Sequence, residues 1–247
     1  MILTDLLERL EYEVVQGSDA AEVTELTNDS RKVVPGSVFV CISGAVSDGH
    51  AYVKEVAEKG AAAVVVEKQV EAPDSVTVIH VDDTRYALAL MSAAYFGYPA
   101  EKLKVIGITG TKGKTTTTYM VKSILEGVGH KVGLIGTIEA VIGDKTIPAS
   151  NTTPESYTIH KYFKEMVDAG CDSVVMEVSS QGLMLHRTAG IPFEIGIFTN
   201  LGEDHIGPNE HKDFEDYKRC KGILFTQCRL GIANVDDRWF EDVFRHA

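Results

Sequence analysis

The chain has no apolar run near the roughly 20 residues that a bilayer-spanning helix needs, and Asp5, Glu8 and Arg9 interrupt its first apolar stretch. Both features argue against a membrane segment and against a signal peptide. The sequence also lacks the paired cysteine spacings of a disulfide frame or a zinc site. Cys41, Cys171, Cys220 and Cys228 are scattered, which points to reduced thiols in the cytoplasm. Basic residues are in short supply. The 24 Lys and Arg against 36 Asp and Glu leave a net charge of −12. That balance argues against a broad nucleic-acid footprint. An anionic ligand must then be held by local devices: loops, helix ends and single cations. There is no internal repeat and no low-complexity tract. What is present is an ordinary globular balance, 44% hydrophobic and 24% charged over 247 residues, enough for one large or two modest domains.

Strand and helix patterns alternate along the chain, which predicts an α/β layer structure. In residues 1–100 the patterns predict a helix at about 2–10 and a turn at 33–37. A strand at 38–42, a helix at 51–59 ending at Gly60, strands at 62–66 and 76–81, and a helix at 84–96 follow. Gly97-Tyr98-Pro99 reads as a boundary. In residues 101–247 the expectation is a mostly parallel sheet. Strands are predicted at 103–108, 131–136, 173–178, 195–199 and 230–234, with a hairpin turning at Gly143-Asp144. Helices are predicted at 117–126, 155–169, 214–225 and 239–244.

The most informative stretch is Ile108-Thr109-Gly110-Thr111-Lys112-Gly113-Lys114-Thr115-Thr116. A buried strand precedes it and a helix follows, the context of a phosphate cradle. Glycines let backbone N–H groups face an anion, and the helix N-terminus adds partial positive charge. Lys114 can reach terminal phosphates, and the Thr115 hydroxyl can ligate Mg²⁺. The general P-loop pattern asks for glycine at position 108. Here that residue is Ile108, so the turn starts differently. Glu177, in Met176-Glu177-Val178-Ser179-Ser180, ends a buried strand, where ligands of open α/β sheets gather. It could hold a metal, or it could cap the next element. His205, in Asn200-Leu201-Gly202-Glu203-Asp204-His205, could be a metal ligand, a proton carrier or a structural residue. Lys218 and Lys221 share a helix face and read by themselves as a solvated basic patch. Asn151-Thr152-Thr153-Pro154 fits either a helix cap or a ligand site. Two polar loops, Thr27 to Arg31 and Gly44 to His50, could hold a diphosphate through Arg31 and backbone amides, or could be plain turns.

Taken in order, these segments resemble the Mur ligases of peptidoglycan synthesis. The marks are Asp29-Ser30-Arg31 with Pro35-Gly36, Asp48-Gly49-His50, Thr109-Gly110-Thr111 with Gly113-Lys114-Thr115-Thr116, Asn151-Thr152-Thr153-Pro154, Met176-Glu177-Val178-Ser179-Ser180, and Thr199-Asn200-Leu201 with Asp204-His205. Asn-Thr-Thr-Pro followed by Glu-Val-Ser-Ser looks like the UDP-N-acetylmuramoyl-tripeptide synthetase (MurE) branch, while the Asp-Ser-Arg and Asp-Gly-His pair also suits MurF. The resemblance implies a UDP-binding domain at 1–100 and a central ATP-binding domain at 101–247. It also implies a further central portion and a C-terminal domain that this sequence does not contain. It implies that Asn28, Ser30, Ala45, Val46 and Ser47 hold UDP. Asn151, Thr152, Thr153, Ser179 and Arg187 would hold the muramoyl-dipeptide. Gly110, Thr111, Lys112, Gly113, Lys114, Thr115 and Thr116 would hold ATP. Lys221 matches a lysine that family members carry as a carbamate, and it would bind Mg²⁺ with Thr115, Glu177 and His205. Lys114, Lys221, Glu177 and His205 would then be the catalytic set.

The implied reaction is ATP-dependent amide formation on UDP-MurNAc-L-Ala-D-Glu. The D-Glu γ-carboxylate attacks the γ-phosphate, and a diamino acid then displaces phosphate from the acyl phosphate. The resemblance also implies a cytoplasmic monomer with no nucleic-acid or membrane partner. A chain of this extent is expected to bind nucleotides without completing ligation. Lys112 stands where the MurE branch usually has Asn, Gln181-Gly182 replaces His-Ala, and Gly207-Pro208-Asn209-Glu210 replaces Asp-Tyr-His-Gly. The amino acid added, meso-diaminopimelate or L-lysine, is not legible. Folylpolyglutamate synthetase shares the ATPase architecture but lacks the UDP domain. A nucleotide-binding protein without ligase activity is the alternative from a different class.

Overall fold

The computed structural model describes residues 1–44, 47–204, 206–207 and 210–245. The chain divides into two compact units, Met1–Tyr95 and Phe96–Ala247. The first unit comprises α1 (Leu3–Leu7), β1 (Glu13–Gln16), β2 (Glu25–Thr27), β3 (Ser37–Val40), α2 (Val53–Glu58), β4 (Ala63–Val66), β5 (Thr77–His80) and α3 (Thr84–Tyr95). Its sheet runs β1-β5-β4-β3-β2. Strands β2 to β5 are parallel, and β1 pairs antiparallel to β5 at the edge. Every residue of β3 and β4 is buried, the pattern of parallel strands covered on both faces. This explains why those two strands are legible as apolar runs. Edge strand β1 is mostly exposed and β2 has only three residues, so neither carries a period strong enough to read.

The second unit contains β6 (Lys104–Thr109), α4 (Lys114–Gly127), β7 (Val132–Ile135), β8 (Glu139–Ile142), β9 (Lys145–Pro148), α5 (Ser156–Asp168), β10 (Ser173–Glu177), α6 (Ser180–Met184), β11 (Phe193–Phe198), α7 (Phe214–Thr226), β12 (Cys228–Ala233) and α8 (Phe240–Val243). The sheet order is β12-β11-β6-β10-β7-β8-β9. Its first five strands are parallel, and β8 and β9 complete it as an antiparallel hairpin. The connection β6–α4–β7 passes over β10, which pairs with both strands. The C-terminal ends of β6, β7, β10 and β11 therefore lie along one edge of the sheet, where open α/β sheets hold ligands.

Alternation along the strands sends side chains to two cores. Val105, Val174 and Met176 join Ile159, Phe163 and Met166 of α5 and Tyr217 and Leu224 of α7. Ile106, Ile108 and Val175 meet Val121 and Leu125 of α4 on the other face. Gly107 belongs to the strand rather than the loop. A Cβ there would stand 2.8 Å from the Phe193 ring.

In the second unit two helices depart most from the sequence patterns. Helix α4 begins at Lys114, three residues before the expected start. Four consecutive threonines are weak helix formers, but Thr118 Oγ1 donates to the Lys114 carbonyl at 2.8 Å and Gly113, at φ 84°, supplies the N-cap. The short α6 has no sequence period of its own; the Ser179 hydroxyl caps it by accepting from Gly182 N–H at 3.0 Å. Among the described residues, no helix is long and apolar enough to cross a membrane.

Candidate functional site

The loop after β6 is held by the segment after β11. Gly110 has φ 147°, and a Cβ there would stand 2.0 Å from Thr199 Oγ1, so only glycine fits. Thr111 N–H donates to the Asn200 carbonyl at 2.8 Å. The Asn200 amide accepts from Lys112 N–H at 2.9 Å and donates to the Lys112 carbonyl at 3.0 Å. Thr199 Oγ1 donates to the same carbonyl at 2.8 Å. The Lys112 ammonium pairs with Asp204 at 3.1 Å at the exposed rim, and Thr116 is exposed one position beyond Thr115.

Two lysines converge on one carbonyl. Lys114 Nζ donates to Gly110 O at 2.9 Å and Thr111 O at 3.2 Å. Lys221 Nζ donates to Gly110 O at 3.0 Å and lies 4.4 Å from the Tyr217 ring centroid. Lys221 is 1% exposed. The helical spacing read Lys218 and Lys221 together as a solvated patch, and the structure corrects this. Both are buried: Lys218 is tied to the carboxylates of Glu215 and Asp242, whereas Lys221 points to the Gly110 carbonyl. Burial, and next the Lys114 charge, push the Lys221 ammonium well below its ordinary range. Burial also lowers Lys114, opposed by the charge of Glu177.

Glu177 ends β10 with 1% exposure and is fully engaged. Its Oε1 accepts from Thr137 N–H at 2.9 Å. Its Oε2 accepts from Thr115 Oγ1 and from Thr137 Oγ1, each at 3.0 Å. The backbone just after β7 approaches so closely that a Cβ on Gly136 would stand 2.6 Å from Oε1. Thr137 Oγ1 lies 3.1 Å from Thr152 Oγ1, which links the carboxylate to the Asn151–Pro154 segment. Thr153 Oγ1 donates to the Glu177 carbonyl at 3.0 Å and accepts from Ser179 N–H at 2.9 Å. Arg187 donates to the Thr153 carbonyl at 2.9 Å and pairs with Glu155. Its buried Nε has no partner among the described residues. Asn151 is exposed. His205 lies outside the described residues.

The structure thus brings Lys114, Thr115, Glu177, Lys221 and the Thr152–Thr153 segment to one sheet edge. Thr137 and Tyr217 were not legible. Tyr217 OH meets Thr111 Oγ1 at 3.0 Å, yet in sequence it is an ordinary helical aromatic. Thr137 follows a strand end with no motif around it.

In the first unit, Asp29 caps the turn Ser30–Lys32 and accepts from Arg31 Nε at 2.8 Å and Nη2 at 2.9 Å. This pairing lowers the Asp29 carboxyl to about 2 and commits Arg31 to Asp29. Asn28 is exposed, and the Ser30 carbonyl accepts from Lys59 Nζ at 2.8 Å. Asp48 accepts from His50 N–H at 3.1 Å and pairs with His50 Nδ1 at 2.7 Å. His50 Nε2 accepts from Glu67 N–H at 3.2 Å. These bonds close the loop carrying exposed Ser47. Ala45 and Val46 lie outside the described residues.

A glycine loop feeding a helix, with a buried carboxylate on the neighbouring strand end, defines a P-loop α/β unit. The chain belongs to the Mur ligase family: residues 108–247 match its middle domain and residues 22–96 its catalytic domain. It is 48% identical over 245 residues to the UDP-N-acetylmuramoyl-L-alanyl-D-glutamate--2,6-diaminopimelate ligase of Clostridium perfringens, covering 99% of this chain and 50% of that protein. Ligase 1 of the same description from Clostridium acetobutylicum is also 48% identical, over 247 residues, with 100% and 51% covered. A solved structure of an enzyme of that name shares the fold, with a TM-score of 0.83 at 21% identity over 99% of this chain and 49% of that one. The chain spans about half the length of the curated relatives it matches.

Proposed function

We propose that this chain carries the nucleotide-binding and phosphoryl-transfer machinery of an ATP-dependent acid–amino-acid ligase. The acceptor is UDP-MurNAc-L-Ala-D-Glu, and the added diamino acid is diaminopimelate, as in the names of its relatives. The observation that carries the reading is the contact of Thr115 Oγ1 with Glu177 Oε2 at 3.0 Å. It joins the first turn of the P-loop helix to the carboxylate of the adjacent strand.

The donor set fits Mg²⁺: a hydroxyl and a carboxylate are hard oxygen ligands, and both sit beside the phosphate cradle. The ion supplies neutralisation of phosphate charge when bound. Lys114 stabilises the charge that develops as the D-Glu γ-carboxylate attacks the γ-phosphate. Thr199 and Asn200 fix the Thr111–Lys112 backbone, so that the N–H groups at the start of α4 face phosphate without reorganisation. Lys221, with its ammonium disfavoured by burial, presents the amine form that adds CO₂. A bond forms between Nζ and the CO₂ carbon, and one proton leaves to solvent. The resulting carbamate would be a hard oxygen donor, and with Glu177 and His205 it would hold the same metal. Asn151, Thr152, Thr153, Ser179 and Arg187 hold the muramoyl-dipeptide. Asn28, Ser30, Ala45, Val46 and Ser47 hold the uridine diphosphate in the first unit. Residues 110–116 hold ATP, and the site works in the cytoplasm as a monomer.

The test is calorimetry of the chain with Mg·ATP and with UDP-MurNAc-L-Ala-D-Glu, alongside phosphate release. Binding of both, and phosphate release that requires the dipeptide, is expected. A folded chain that binds neither ligand overturns the reading.

A further inference from the structure

Between β11 and α7 lies a histidine that the reaction as drawn does not use. His211 is 1% exposed, and both ring nitrogens are bonded. Nε2 lies 2.9 Å from Ser180 Oγ, and Nδ1 lies 3.1 Å from Asp216 Oδ2. A carboxylate only accepts, so Nδ1 carries a proton and donates to Asp216, while Nε2 is hydrogen-bonded to the Ser180 hydroxyl. The result is a hydrogen-bonded chain, Ser180 to His211 to Asp216, whose three members are all buried or nearly so.

The ends of this chain stand in the two walls of the site. Ser180 opens α6, three residues after Glu177, next to Ser179. Asp216 lies in the first turn of α7, five residues before Lys221. The His211 ring also lies 5.2 Å, centroid to centroid, from Tyr217. Tyr217 touches Thr111 of the P-loop and carries Lys221 Nζ over its face. Apolar packing of α7 on the sheet is non-directional and sets its position loosely. A buried, directional hydrogen-bond chain fixes register, because a small slide would leave its polar ends unpaired.

We propose that His211 is a positioning residue: clamped between Ser180 and Asp216, it fixes α7 against the turn after Glu177 and so sets where Lys221 stands. This rests on the reading of Lys221 as the carbamylated lysine. Sequence gave no sign of it, since His211 is separated from Ser180 by 31 positions.

The experiment is carbon-13 NMR of the whole chain equilibrated with labelled bicarbonate, Mg²⁺ and a non-hydrolysable ATP analogue. The carbamate carbon is assigned by its loss in Lys221→Arg. His211→Ala is expected to lower carbamate occupancy about tenfold, and Ser180→Ala, which removes one hydroxyl, about threefold, in line with one unmade buried hydrogen bond. Met166→Ala, a core change on α5 away from the chain, is the control for lost stability and should keep the signal. Wild-type occupancy in folded Ser180→Ala and His211→Ala proteins overturns the proposal. If His211→Ala does not fold, Ser180→Ala decides. A wild-type chain with no carbamate signal overturns the Lys221 reading instead, and the positioning role with it.

Discussion

Replacing Gly136 by alanine tests whether the Glu177 carboxylate is fixed where the site needs it. The new Cβ would stand 2.6 Å from Glu177 Oε1, 3.4 Å from Cδ and 3.5 Å from Cγ. Ordinary contact begins near 3.4 Å, so the oxygen must retreat by about 0.8 Å or the Gly136 backbone must yield. A move of that size breaks the 2.9 Å bond from Thr137 N–H and disturbs both hydroxyl bonds on Oε2. Hydrogen bonds to a charged group contribute about 1.5–3 kcal/mol each. Thr137 is exposed, so water replaces part of what is lost. A net loss of about 2–3 kcal/mol is expected, and the second unit should melt roughly 5–10 °C lower. Mg·ATP affinity should fall at the same time, because Thr115 loses its partner. The assay is thermal unfolding with and without Mg·ATP, plus calorimetry. A Gly136→Ala chain with wild-type melting temperature and wild-type Mg·ATP affinity would refute the reasoning, since Glu177 would then have room that the structure denies it.

Lys114→Ala removes the cation from the phosphate cradle; phosphoryl transfer should drop at least about a hundredfold, or ~3 kcal/mol, read from single-turnover phosphate release. Asp48→Ala frees the loop that Asp48 closes with His50. UDP-MurNAc-dipeptide affinity should weaken about tenfold with Mg·ATP affinity unchanged, and equal loss of both would count against separate sites. His160 is buried, neither ring nitrogen has a partner among the described residues, and burial lowers it from 6.5 to about 4. Between those values the unfolded chain takes up a proton that the folded chain cannot, so stability falls as pH drops from 6.5 towards 4, by up to about 3 kcal/mol. In His160→Leu, urea unfolding at pH 7 and pH 5 should show a smaller acid loss; an unchanged pH slope would mean that His160 is not the group responsible.

The sequence by itself determined the α/β class, the glycine loop between β6 and α4 and the family, because these depend on local chemistry. Buried parallel strands such as β3, β4 and β10 are continuous apolar runs. The Gly-Lys-Thr-Thr run after β6 constrains backbone and charge within a few residues. Edge strands β1 and β2 and helix α6 were not legible, because each is held by partners distant in sequence rather than by its own periodicity. The site is divided in the same way. Lys114 and Thr115 announce themselves by position in a loop. Lys221 in helical spacing is one of two basic residues on a face, and only the packing of α7 on the sheet distinguishes the one aimed at Gly110 from its salt-bridged neighbour. Thr137, Tyr217, Asn200 and His211 acquire their roles when β7, β11 and α7 converge on the ends of β6 and β10. Strand order brought Thr115 and Glu177 together across 62 positions of chain. That contact is tertiary because the passage of β6–α4–β7 over β10 is decided by burial of whole strand faces, which no local segment encodes alone.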